Sequence, residues 1–227
     1  MLPTTRRLFV AAVGATPVTL VGASTWGVVG LRTMAIAFLV PGLAALGVLM
    51  AADARTRSLV ARAVGAGLVA TFVYDLLRWS FLIIGWMDRD PIPHIGGNLG
   101  LTPGWFFGYL WRFVGNGGGL AMVFFASGAR GVAPGTGHGL VVCSGLFGVL
   151  VFSPNGQTAL FPIDVATVVV AVGGHIIYGS VLGALSTRLL SPGRPDWTRR
   201  RERWPVSRRA DCPHWGGPSA SEAETAP

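Results

Sequence analysis

Apolar residues run through this chain in blocks of roughly twenty, each broken by short stretches rich in Arg, Pro, Gly or Asp. A helix needs about 20 such residues to cross the ~30 Å hydrocarbon layer of a bilayer, so the blocks predict membrane spans. They fall at about 8–29, 34–52, 63–84, 105–125, 138–153 and 165–190. The expected fold class is therefore all-α, a polytopic bundle of about six transmembrane helices over residues 1–190. A basic, Pro-rich segment at 191–227 has no apolar block and reads as a disordered cytoplasmic tail.

Two blocks carry prolines, Pro17 and Pro41, whose missing N–H predicts kinks. The fifth is short: Leu140 to Phe152 is thirteen residues, with the Pro-Gly-Thr-Gly-His run up to His138 read as the loop before it. Charge places it across the membrane all the same. Only with that crossing do the eight arginines from Arg188 to Arg209 share a side with Arg6, Arg7, Arg55, Arg57, Arg62 and Arg130. Clustered arginines mark the cytoplasmic face, so both termini are expected inside. The first block also resembles a twin-arginine export signal, but the spans that follow favour a retained anchor. The stretch 87–103, rich in Pro and Gly, is expected outside as a lid-like loop.

Composition agrees. Hydrophobic residues make up 51% of the 227 and charged residues 12%, against about 25% charged in a soluble domain. Every basic residue is arginine, which excludes a phosphate-loop or Schiff-base lysine. Two cysteines, Cys143 and Cys212, predict no disulfide framework, and no zinc or nucleotide motif is present. No cofactor and no metal is expected. His94 with Asp88 and Asp90 reads as a solvated loop rather than a metal site, and His138 as an interfacial residue. The expected partners are the lipid bilayer, with anionic lipids along Arg199-Arg200-Arg201-Glu202-Arg203, and no nucleic acid.

The candidate chemistry lies inside the spans. Asp75 and Arg78 share a helix face at a spacing of three, and Arg112 and Asn116 share one at a spacing of four. A charge at the bilayer centre costs about 2.5 to 3.5 kcal/mol on insertion scales, so such residues face a bundle interior and a partner. Counting residues along each span puts Asp75, Arg78, Arg112 and His175 at one depth, with Tyr74 and Tyr178 within a turn. Asp75 is then a candidate to orient an arginine or to serve as an acid, and His175 to move a proton. Arg78, Arg112, Asn116, Tyr74 and Tyr178 are candidate substrate-binding residues. The alternative for the whole cluster is a network that sets helix register, and this alternative leads for Asn116 and Tyr178. One carboxylate against two guanidiniums leaves a positive charge over, which calls for an anion.

Tyr74-Asp75-Leu76-Leu77-Arg78 followed by Gly174-His175-Ile176-Ile177-Tyr178-Gly179 resembles a pattern of small uncharacterised multi-pass membrane proteins of actinobacteria, over spans three to six. That resemblance implies a plasma-membrane location and no activity. A looser similarity is to the membrane-bound terpene cyclases of meroterpenoid pathways, which rely on intramembrane acids, and only Asp75 fits such a role. The functional expectation is an intramembrane pocket that binds or transports a small lipophilic or anionic molecule. The alternatives are acid/base catalysis on a lipophilic substrate, or a structural protein without a ligand.

Overall fold

The computed structural model describes residues 2–87 and 89–190, which are helical with no strand among them. Expectations for the arginine-rich tail and for Asp88 lie outside the described residues. Five helices are long and apolar enough to cross a membrane. They are α1 (Thr4–Ser24), α2 (Leu31–Ala52), α3 (Ala54–Ile83), α6 (Val132–Phe152) and α8 (Val165–Leu189). Between them lie the short α4 (Ile92–Asn98), the unbroken helical run 104–127, α5, and the single turn α7 (Gly156–Ala159). Arg112, Asn116 and a run of glycines dilute the apolar character of α5, which is not among the five.

Two helices contain wide turns. In α2, residues Ala35–Leu39 form π-helix directly before Pro41. Proline cannot donate to the residue four back, and switching to a five-residue spacing absorbs that lost bond. In α5 the π-helix spans Trp111–Gly118, where the glycines lie.

The short fifth span is corrected. The stretch read as a loop before it forms the first turns of α6, which has 21 residues. Pro134 sits in the first turn, where a missing N–H leaves no bond unmade. Gly135 and Gly139 then pack on Gly179 and Gly183 of α8 so closely that an added Cβ would run into the facing backbone carbonyls. Small-residue seams of this kind let helix backbones touch in a membrane, where apolar burial gives no drive for association. Gly67 of α3 meets Gly117 and Ala121 of α5 in the same way. The core lies between α1, α3, α5 and α8 around Val10, Ala63, Ala70, Phe125 and Leu182. Phe38, Val48, Val69, Phe72, Val141 and Phe152 point outward, as lipid-facing residues do.

Contacts sort the helix ends. Arg6 pairs with Asp53 at 3.0 Å, Arg62 donates to the Leu189 carbonyl at 2.8 Å, and the Gly131 N–H donates to Ser186. The arginines at the start of α1, the start of α3 and the end of α8 therefore share one end of the bundle. Asp53 also caps α3, accepting from the backbone N–H groups of Arg55 and Thr56 and from the Thr56 hydroxyl at 2.6 Å. The Thr56 hydroxyl above all holds its carboxyl below the usual range. At the opposite end Ser153 donates to Thr25 at 2.6 Å, and Arg89 to the Thr158 carbonyl at 3.1 Å.

The seam yields a direct expectation. Gly179→Ala should lower stability by about 1 to 3 kcal/mol, the usual cost of overpacking. Gly137→Ala, where a Cβ meets nothing within 4 Å, should leave the unfolding midpoint in detergent unchanged or slightly raised.

Candidate functional site

The site is built on α3, whose Tyr74, Asp75 and Arg78 fall on one buried face. Asp75 has no exposed surface. Its Oδ1 accepts from Arg112 Nη2 at 2.7 Å, from Arg112 Nε at 3.2 Å and from Arg78 Nε at 3.2 Å, and Oδ2 accepts from Arg78 Nη2 at 3.4 Å. One carboxylate thus holds two guanidiniums. Arg112 also lies over the Tyr74 ring, its Cζ 4.4 Å from the centroid.

The network continues to two residues that the spacing argument missed. Arg78 Nη1 donates to Asp90 Oδ1 at 2.6 Å, and Arg78 Nη2 to the Tyr109 hydroxyl at 3.0 Å. That hydroxyl also accepts from Trp79 Nε1 at 3.1 Å and donates to Asp90 Oδ2 at 2.6 Å, so its bonding capacity is filled. The expected surplus positive charge is thereby corrected. Arg112, Asp75, Arg78 and Asp90 form a chain of two cations and two anions, because the segment before α4 folds back over the bundle. Asp90 is held in place by accepting from the Ile92 N–H at 3.0 Å. Tyr109 lies three residues before Arg112 on one helix, a spacing that could have flagged it; Asp90 had no such signal, since its position depends on how the connecting segment folds.

The polar groups of α5 and α8 follow from local geometry. Arg112 and Asn116 both lie in the π-helix Trp111–Gly118. Asn116 Oδ1 is buried with no hydrogen-bond partner. His175 Nδ1 lies 2.7 Å from the Ala171 carbonyl oxygen. A carbonyl only accepts, so in the neutral ring Nδ1 carries the hydrogen and Nε2 presents a lone pair. The ring packs edge-on to Tyr74, with centroids 5.3 Å apart. Tyr178 instead donates to the Gly117 carbonyl at 2.7 Å, tying α8 to the π-helix. His138, half-buried on α6, bonds the Leu120 carbonyl at 3.1 Å.

Above the charges lies a cavity of ≈ 490 Å³, within the usual range for ligand sites. Its walls are chiefly aliphatic, from α1, α6 and α8. Its polar wall is Tyr74, Arg78, Arg112, Asn116 and His175, five of the seven residues singled out from the sequence. Asp75 and Tyr178 are not on it. Met87, Pro91, Ile92 and Ile95 cover it from the connecting segment, where Ile92 and Ile95 are buried. The lid-like loop is therefore partly helical, and α4 is pressed onto α5 where Gly96 meets Gly104 and Gly108. Thr19 and Ala23 of α1 and Gly145 of α6 line the cavity and are also exposed, so it opens sideways between those helices.

Removing each carboxylate should give different results. Asp75→Asn leaves Arg112 without a counter-ion and Arg78 with Asp90 alone, and should cost about 3 to 5 kcal/mol, read as a lowered unfolding midpoint. Asp90→Asn should cost less and act locally, speeding amide hydrogen exchange over residues 89–99 while α3 stays protected. No protein-family model, curated protein or solved structure matches the chain, so the geometry of the site carries the functional reading.

Proposed function

We propose that this is a multi-pass membrane protein of a bacterial plasma membrane that binds a lipophilic molecule with a polar head in the cavity between α1, α3, α5, α6 and α8. The observation that carries this reading is an aliphatic cavity, open sideways between α1 and α6, whose inner wall bears Arg112 and His175 with hydrogen-bonding capacity left over. In this reading α5 is a sixth crossing. Its charges and glycines face the bundle, and six crossings put both ends on the arginine-rich side, which is then cytoplasmic. The anionic lipids expected along the tail would add to the same side.

Binding, as storage or as a step of transport, is favoured over terpene-cyclase-like catalysis by the placement of the acids. Such catalysis needs a carboxylic acid open to the substrate. Asp75 lies behind the arginines with no exposed surface, and Asp90 is held by Arg78 and Tyr109. Asp75 is therefore assigned to orienting Arg112 and Arg78, and catalysis at this site would fall to His175.

Gly145→Phe tests the cavity without replacing a charged residue, at a position on its wall where an added Cβ meets nothing within 4 Å. Mass spectrometry of small molecules from protein purified in mild detergent should show a lipophilic compound with wild type. That compound should be lost or several-fold depleted from a Gly145→Phe protein that unfolds at the same temperature. Equal content in both preparations would sink the reading.

A further inference from the structure

The charge chain and the unfilled hydrogen-bonding groups together restrict the polar head. Arg112 gives Nε and Nη2 to Asp75, and its Nη1 has no partner among the described residues. Asn116 Oδ1 is buried without a donor. His175 gives Nδ1 to Ala171, and Nε2, an acceptor, has no donor among the described residues. Among the described residues the wall therefore offers a cationic donor on Arg112 and an acceptor on His175, while Asn116 Oδ1 lies too deep for a guest to reach. Arg112 and His175 line the same cavity, and both pack against the Tyr74 ring, at 4.4 and 5.3 Å from its centroid.

An anionic head fits this wall poorly. A carboxylate or phosphodiester has no hydrogen for His175 Nε2, and an acceptor left unpaired beneath a bound head carries a desolvation penalty. It also enters beside two guanidiniums already matched by Asp75 and Asp90, so no net positive charge offsets its own. A hydroxyl fits: its hydrogen goes to His175 Nε2 and its lone pairs accept from Arg112 Nη1. Resting on the cavity reading above, we infer that the ligand is an uncharged lipophilic alcohol or phenol, recognised by a hydroxyl placed between His175 and Arg112.

Three probes of equal chain length separate this from other head groups: 1-hexadecanol, its methyl ether and hexadecanoate. Each is titrated against the full-length protein in nanodiscs by displacement of a fluorescent long-chain alcohol. The alcohol should bind about tenfold tighter than the ether, the effect of one well-placed hydrogen bond and its avoided penalty, and also tighter than the carboxylate. His175→Phe should erase the difference between alcohol and ether by weakening the alcohol, with ether affinity kept. Gly145→Phe should weaken alcohol and ether alike.

Equal affinity for alcohol and ether in wild type, or a preference unchanged in His175→Phe, overturns the hydroxyl assignment while leaving the cavity reading intact. Tightest binding of hexadecanoate overturns it in favour of an anion. If no probe binds, or Gly145→Phe changes nothing, the cavity reading falls and takes the assignment with it.

Discussion

A buried carboxylate held between two guanidiniums is the constraint on which the centre of this bundle depends. A guanidinium buried without a counter-ion is costly, and Asp75 Oδ1 accepts from both arginines. This shared carboxylate ties α3 to α5. It also fixes where Arg78 is left facing, toward Asp90 and Tyr109. A local ion pair within α3 thereby becomes a tie between two long helices and the segment that covers them. Two charges of each sign make the tie self-sufficient, and for that reason the cavity beside it does not require a charged guest.

Close helix approach makes the tie possible. Asp75 and Arg112 meet at 2.7 Å because the α3 and α5 backbones come together at Gly67 and Gly117 one to two turns away. The same glycine-rich stretch of α5 is π-helical and carries both Arg112 and Asn116. Tyr178 then uses the Gly117 carbonyl, so α8 is located against the widened turn. Packing and polar chemistry are in this way parts of one arrangement. Filling a glycine seam would move the arginine as surely as replacing its partner.

The cavity results from what these ties leave open. α6 is held to α8 by its own seam, and α1 to α5 where Gly14 meets Gly119, so α1 and α6 stand on either side of a gap. The segment from Met87 to Ile95 closes that gap at one end and is latched by Asp90. Sideways access toward lipid beneath a latched cover suits a guest that arrives through the bilayer.

Much of this was legible along the chain. Long apolar blocks and clustered arginines identify a membrane protein and its helices, since the bilayer sets both span length and the sign of flanking charge. Asp75, Arg78, Arg112 and His175 stood out for the same reason, because charge in an apolar block needs a partner. Residue order gave no warning that Pro134 opens a helix, since its tolerance comes from the first-turn position and the facing glycines of α8. Nor did it show Asp90, whose place in the charge chain depends on how the connecting segment folds back. The apolar blocks, read residue by residue, determined which helices are long and apolar enough to cross a membrane and which charges lie within them. The tertiary structure decided which charges pair, which acceptors stay unfilled and where the cavity opens, because those depend on distances between helices that no spacing along the chain encodes.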